Sequence, residues 1–247
     1  PVHMLGVPAE MEKVFKIAKK YKLSVLEDNC EAFGGRYKKK FLGTLGDVGV
    51  MSLDFGKIIT SGEGGIIHTN NKRIDKFCRE YHDHGHHNNP SLPRGEDTRS
   101  IYGFNYRMTD IQAVIAKEQL KKLNYIILEN KKRYNILQKN LSKKVLIRNI
   151  PKNSDIIFDT FIFFVNDIKK RKQIITCLKN LNFGTKNLPD AIKWHCAFYW
   201  DHMLKKKQIK KLSYTKNKLQ TAIAIPIFIN KKLSDYTNLT KKISKIF

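Results

Sequence analysis

Lys57 and Asp28 are the two residues of this chain whose chemistry is most readily combined. Lys57 ends the run Met51-Ser52-Leu53-Asp54-Phe55-Gly56-Lys57 and is followed by Thr60-Ser61-Gly62-Glu63-Gly64-Gly65. Asp28 lies 29 residues upstream, closing the apolar run Ser24-Val25-Leu26-Glu27-Asp28. An amine can condense with an aldehyde to form a Schiff base. A carboxylate can keep a pyridine nitrogen protonated, so that the ring draws electrons. Glycines beside the pair allow close backbone approach to a ligand. The expectation is a pyridoxal 5'-phosphate site.

The elements that must position these residues follow from the hydrophobic pattern. Pro8-Ala9-Glu10-Met11 opens a helix in which Met11, Val14, Phe15, Ala18 and Tyr21 recur at helical spacing. The run Ser24 to Leu26 reads as a buried strand with Asp28 at its C-terminal end, where open α/β sheets hold ligands. Residues 47–53 and 65–70 are further strand candidates, and a helix is expected from Lys72 to Tyr81. Strands alternating with helices predict a mainly parallel sheet. From His82 to Ser100 no apolar period survives, so a long loop is expected. Its histidines, His82, His84, His86 and His87, have no nearby cysteine, and Gly85 breaks their alternation, so no metal site is expected. Met108-Thr109-Asp110 begins a strong helix, capped by Thr109 or Asp110, with a lysine-rich extension to about Leu141. Beyond it, Phe158–Val165 and 183–187 are expected as strands, and Lys170–Leu181 and Ser234–Ile246 as helices.

The net charge of +25 is unevenly placed: 17 basic against 14 acidic residues through Asp110, then 30 against 8. Of the 47 basic residues 38 are lysine, scattered among Asn and Ile. Base reading leans on arginine forks and phosphate binding on clustered charge, so no nucleic-acid partner is expected. The four cysteines form no C-x-x-C pair, which favours reduced thiols in the cytoplasm. No stretch is long and apolar enough for a membrane helix, no signal peptide is visible at Pro1-Val2-His3-Met4, and no membrane partner is expected.

Seven pieces in order make a more specific pattern. They are Val2-His3-x-x-Gly6, Glu27-Asp28-x-x-Glu31-Ala32-x-Gly34, Gly43-x-x-Gly46-Asp47, Ser52-x-x-x-x-Lys57, Gly62-Glu63-Gly64-Gly65, Gly103-x-Asn105-x-Arg107-Met108 and Gln112-Ala113. In them the chain resembles the vitamin B6-dependent sugar aminotransferases of the DegT/StrS family. The resemblance implies an α/β fold of the aspartate aminotransferase type (fold type I), with residues 1–125 as the rear of an incomplete large cofactor domain and 126–247 as a small C-terminal domain. It implies that Lys57 bonds the cofactor and shuttles the proton, that Asp28 binds the ring nitrogen, and that Glu31 lies near the ring. It further implies that Ser52 donates to the phosphate, that Asn105 reaches the phosphate in the neighbouring subunit of a homodimer, and that Arg107 holds its loop or contacts substrate. Glu63 has no assigned role.

The implied reaction moves an amino group from an amino acid, glutamate first, to a keto or aldehydo sugar for lipopolysaccharide or other surface polysaccharide. The loop from His82 to Arg99 further resembles a subgroup that makes 8-amino-3,8-dideoxy-manno-octulosonate; a nucleotide-linked 4-keto hexose is the alternative acceptor. Dehydratases on this scaffold often carry histidine in place of the lysine, which Lys57 argues against. A non-catalytic regulatory or basic nucleic-acid-binding relative stays open on residues alone. Trp194-His195-Cys196-Ala197, with Trp200 and His202, reads either as a wall of a sugar pocket or as core. The family's glycine- and threonine-rich phosphate nest is not recognisable, and Pro1 is no natural initiator, so this polypeptide alone is expected to be an inactive fragment that binds cofactor weakly or not at all.

Overall fold

A computed structural model describes all of Pro1–Phe247. Two compact units divide it: Pro1–Asn124 with Pro151–Ile157, and Tyr125–Ile150 with Phe158–Phe247. In chain order the elements begin with α1 (Met11–Tyr21), β1 (Leu26–Asp28), β2 (Arg36–Tyr37), β3 (Lys40–Phe41), β4 (Val48–Ser52), β5 (Gly65–His68) and α2 (Lys72–Tyr81). The 32-residue helix α3 (Asp110–Leu141) starts in the first unit and ends in the second, followed by β6 (Leu146–Ile147) and β7 (Ser154–Asp155). The remainder is β8 (Thr160–Phe164), α4 (Ile168–Asn180), α5 (Ile192–His195), α6 (Lys206–Lys210), α7 (Ser213–Gln220), β9 (Ala222–Pro226) and α8 (Leu233–Ser244).

Side chains that satisfy the first amides of each helix set several starts. The Asn71 side chain accepts from the amides of Arg73 and Ile74 at the head of α2, and Asp167 does the same for Lys169 and Lys170 at α4. At α3, Thr109 Oγ1 accepts from the Gln112 amide at 3.3 Å while Gln112 Oε1 accepts from the Thr109 amide at 3.1 Å, a reciprocal capping box. Thr109, not Asp110, is therefore the cap. Pro8–Glu10 stay outside α1.

In the first unit β1 pairs in parallel with β4, matching Leu26 to Val48, Glu27 to Gly49 and Asp28 to Val50. Pro1–His3 lie along the other edge of β1: the His3 amide donates to the Asp28 carbonyl, and the Asp28 amide to the Pro1 carbonyl, both at 2.9 Å. The strand is shorter and later than expected, and Leu26 is half exposed rather than buried. β5 runs antiparallel to β4, so the expectation of a mainly parallel sheet fails on this side. Residues 53–64 make a tight return, and no crossover helix is present to bring β5 back in parallel. Gly49 lets the turn at Gly43 lie directly on β4, because a Cβ there would sit 1.8 Å from the Gly43 carbonyl oxygen. A single cut at residue 125 also misplaces 151–157: β7 pairs with β2, and the Lys38 amide donates to the Asn153 carbonyl at 2.7 Å.

One face of β1 carries a closed polar lock. Glu27 and His3 are fully buried, and His3 Nε2 lies 3.0 Å from Glu27 Oε2. His3 Nδ1 accepts from the Ala9 amide at 3.1 Å, which assigns the ring proton to Nε2 and makes His3 the donor. Gly43 also donates to Oε2 at 3.0 Å, while Leu45 and Gly46 donate to Oε1 at 2.6 Å each. Burial pushes the Glu27 carboxyl up, but these four donors outweigh it and hold the group below its ordinary value.

The second unit is built on the antiparallel sheet β6-β8-β9, in which Phe161 opposes Ile225 and Phe163 opposes Ile223. β9, Ala-Ile-Ala-Ile-Pro, is buried at every position. Phe161, Phe163, Leu137, Leu141, Ile174, Leu178 and Tyr236 fill the core, with Tyr134 set edge-on to Phe161 at 5.1 Å. Residues 183–187, expected as a strand, form none; the Lys186 amide still donates to the Ala224 carbonyl. Trp194 is 80% exposed, which removes the core reading for it. Phe161→Ala should cost about 3–5 kcal/mol of stability, the range for truncating a sealed aromatic, whereas Trp194→Ala should stay within about 0.5 kcal/mol. Denaturant unfolding of the two variants checks the contrast.

Candidate active site

Parallel pairing and strand alternation bring Asp28 and Ser52 to one end of one sheet. Asp28 opposes Val50 in register, and Ser52 lies two residues further along β4, so Asp28, Val50 and Ser52 share a face while Glu27 takes the other. The return that follows β4 carries Lys57. It is closed by the Leu53 amide donating to the Gly64 carbonyl at 2.9 Å, the Ser61 amide to the Leu53 carbonyl at 3.0 Å, and the Lys57 amide to the Asp54 carbonyl at 3.1 Å. Asp54 tightens the turn further, its Oδ1 accepting from the Gly56 amide at 3.0 Å. Ser52 Oγ accepts from the Asp54 amide at 3.2 Å.

Lys57 Nζ lies 3.8 Å from Glu31 Oε1, with side chains only 21% and 14% exposed. Glu31 Oε2 accepts from the Leu5 amide at 3.2 Å, tying this carboxylate to the segment after His3. Asp28 Oδ1 accepts from the Cys30 amide at 3.0 Å. The Cys30 thiol, pushed up to about 12, reports what surrounds it: burial first, then a hydrogen bond and the charge of Asp28, with Lys57 pulling the other way and Glu31 adding to the rise. Cys30 therefore stays a thiol at neutral pH, inert as a nucleophile. A sheltered amine, two carboxylates, a serine hydroxyl and a glycine-lined return (Gly62 to Gly65) form a donor set that fits pyridoxal phosphate.

Asn105 and Arg107 sit elsewhere in the first unit, on the loop after α2, and make no bond to those four residues. Asp83, nearly buried, accepts from Arg94 Nη1 at 2.8 Å, from Arg94 Nη2, and from Arg107 Nη1 at 2.5 Å. Arg107 therefore holds its loop. Asn105 pairs through its backbone with Asp83 and is exposed. Gly103 packs against Gly85 so closely that a Cβ on Gly103 would meet the Gly85 nitrogen at 2.3 Å. The histidines take separate partners: His82 the Arg79 carbonyl at 2.6 Å, His87 the Thr98 hydroxyl at 2.8 Å, and His86 the Asp97 carboxylate at 3.5 Å. Glu63 is exposed, and its carbonyl accepts from Ser61 Oγ. Sequence reasoning passed over Asp83, and placed Glu27 and His3 in motifs without giving them a role. An acid among histidines, followed by two arginines within a loop, was the available signal for the first.

The sequence profile of the DegT/DnrJ/EryC1/StrS aminotransferase family matches residues 1–244. The chain belongs to that family. It is 35% identical over 160 residues to the GDP-perosamine synthase of Escherichia coli O157:H7, covering 65% of this chain and 42% of that one. To the GDP-perosamine synthase of Caulobacter vibrioides it is 39% identical over 124 residues, covering 50% and 32%. The chain thus spans well under half the length of these curated relatives. The aminotransferase from Psychrobacter cryohalolentis superposes with a TM-score of 0.84 at 22% identity, covering all of this chain and 67% of that one. A GDP-4-keto-6-deoxy-D-mannose-3-dehydratase of E. coli, solved with bound hydrated PLP, gives 0.77 at 21% identity, covering 98% and 66%. The fold is the α/β fold of these enzymes.

Arg94 first, and then Arg107, hold the Asp83 carboxyl well below the usual carboxylate range against the opposing effect of burial. A carboxyl lowered in the native state stabilises it above its ordinary value of 3.8 and loses that contribution as pH falls below it. Asp83→Asn should cost about 1–3 kcal/mol, less than a sealed ion pair because both guanidinium groups are part exposed. Limited proteolysis within residues 84–107 should be slow and level from about pH 7 to pH 4.5 in the parent and quicken below about pH 4. In Asp83→Asn it should be fast throughout, without that acid step.

Proposed function

We propose that this protein is a pyridoxal 5'-phosphate-dependent aminotransferase that moves an amino group from an amino acid, glutamate first among donors, to a keto or aldehydo sugar. The observation that carries this reading is the sheltered Lys57 amine, 3.8 Å from Glu31, on the return that leaves the strand paired in register with Asp28. When bound, the cofactor supplies an electron sink for the carbon that loses its proton. Lys57 Nζ would hold the cofactor covalently and, once freed, carry the proton to and from that carbon. Glu31 would keep the freed amine from swinging away. Asp28 would pair with the ring nitrogen through the carboxylate that already accepts the Cys30 amide. Ser52 accepts the Asp54 amide, so its hydroxyl proton is available to a phosphate oxygen.

Similarity to two GDP-perosamine synthases supports a nucleotide-linked keto sugar as acceptor, and the loop from His82 to Arg99 supports the eight-carbon octulosonate aldehyde. Either product would enter lipopolysaccharide or other surface polysaccharide. A lysine at position 57, where related dehydratases often carry histidine, favours amination over dehydration. The four free thiols fit a cytoplasmic enzyme. In the full-length gene product, borohydride should fix a cofactor-derived mass on the peptide bearing Lys57. Lys57→Ala should lose both the fixed mass and amine transfer from glutamate. Amine transfer that survives in Lys57→Ala would refute the role. Turnover on a panel of the two acceptor types distinguishes them.

The acting unit would be a homodimer, with Asn105 reaching the partner's phosphate. Support comes from the aromatic cluster that flanks it: Phe77 stacks on Tyr81 at 5.6 Å and Phe104 on Tyr106 at 5.5 Å, while Phe77, Phe104, Tyr106 and Tyr102 present exposed rings. Exposed aromatics grouped in this way are the usual core of a protein interface. Sedimentation of the full-length protein should give a dimer, and Phe104→Glu should shift it toward monomer. A parent that sediments as a monomer at micromolar concentration would contradict the shared site.

A further inference from the structure

Two acidic residues stand side by side at the end of β1, and only Asp28 faces the cofactor site. Its neighbour Glu27 is fully buried, on the opposite face, where His3 and the amides of Gly43, Leu45 and Gly46 all donate to it. Three converging amides from one glycine-bearing turn form the kind of concavity that ordinarily holds an anion. Here the anion is a side chain of the protein. The lock joins three segments: Pro1–His3 on one edge of β1, β1 itself, and the turn that feeds β4. Those segments set the backbone of Asp28 and the start of the strand that ends at Ser52.

We propose that Glu27, oriented by His3, is a positioning residue for the cofactor site, fixing the Asp28 carboxylate and the Ser52 end of β4 relative to each other. The role rests on the aminotransferase reading above. Glutamine cannot replace this carboxylate without conflict. Whichever way the amide is turned, its NH2 faces two N–H donors: His3 and Gly43 at one end, or Leu45 and Gly46 at the other. His3 cannot relieve the clash by changing tautomer, because Nδ1 is already committed as acceptor to the Ala9 amide. The strand end then shifts to separate the groups, and Asp28 and Ser52 move apart with it.

The test compares Glu27→Gln, His3→Gln and Phe161→Ala in the full-length, cofactor-loaded protein. Phe161 lies in the core of the second unit and serves as a control for general loss of stability. Folding is verified by circular dichroism well below each melting temperature. Glu27→Gln should weaken pyridoxal phosphate binding by about tenfold or more, since small misplacements of a site cost that much. It should also move the midpoint of the pH-dependent visible absorbance of the bound cofactor by roughly half a pH unit or more, because that midpoint senses the charge held at the ring nitrogen. His3→Gln should shift both in the same direction by less, and Phe161→Ala should leave both at parent values. Parent-like affinity and midpoint in folded Glu27→Gln would overturn the proposal, as would equal shifts in Phe161→Ala. If Glu27→Gln does not fold, His3→Gln carries the same two outcomes. A parent that binds no cofactor would count against the aminotransferase reading alone. Amide exchange at Asp28–Cys30 in the unloaded protein then decides positioning, with faster exchange in the variant supporting it and unchanged exchange refuting it.

Discussion

A buried carboxylate with four donors holds the first unit together beside the candidate site. Removing Glu27 from water is costly, and the cost is met only because His3, Gly43, Leu45 and Gly46 all reach it within 3.0 Å. Such an arrangement is all-or-nothing: any donor lost leaves a charge under-solvated in a sealed space. It also couples parts of the chain that local propensity could not align. β1 is three residues long, too short to set its own register by side-chain packing, and its few ladder bonds to either neighbour are reinforced by the contacts of one side chain. Gly49 completes the arrangement, since only a residue without a Cβ lets the donor turn lie so close to β4.

Adjacent acids on a strand face opposite ways, and the fold uses that alternation to separate structure from chemistry. Glu27 is saturated by internal donors on one face. Asp28 accepts one amide on the other and keeps acceptor capacity for a ligand. The same division recurs in the loop after α2. Asp83 is saturated by Arg94 and Arg107, and the neighbouring Asn105 keeps its side chain exposed. In both places an anion with no remaining capacity sets the backbone from which an uncommitted polar residue projects.

Residue types and spacing singled out Lys57, Asp28, Ser52 and Glu31, each in a short motif next to a strand end or a glycine turn; the structure brings Lys57 to 3.8 Å from Glu31 and sets Asp28 and Ser52 on one face of one sheet. Helices α1, α2, α3, α4 and α8 were legible in the sequence, whereas the short α5, α6 and α7 were passed over. What escaped was non-local. β5 runs antiparallel because residues 53–64 close on themselves through bonds to Leu53 and Asp54, which no hydrophobic pattern announces. β9 was passed over although all five of its residues are apolar; a run that short, between lysine-rich helices and a loop, carries no period of its own. Residues 151–157 return to the first unit through a two-residue bridge, again invisible locally. Trp194 was balanced between a sugar-pocket wall and the core, and its exposure follows from a four-residue helix too short to bury a face.

The charge imbalance is explained by where the arginines go. After Asp110 the chain has only three, Arg133, Arg148 and Arg171, against 27 lysines. Arg133 is buried and donates to the carbonyls of Ile229 and Lys231 and to Glu129; Arg171 donates to the Ala222 carbonyl. Burial pulls the Arg148 guanidinium below its ordinary value. Each arginine fork of the second unit is thus spent inside it or withdrawn from water, whereas Arg73 and Arg99 of the first unit stand exposed. The remaining positive charge is lysine, and Lys205, Lys206, Lys207, Lys210 and Lys211 stand exposed without an acidic partner. Unpaired, hydrated ammonium groups keep a protein dispersed and draw anions weakly. A net charge of +25 built this way draws anions in general, and in the second unit it leaves no exposed guanidinium fork.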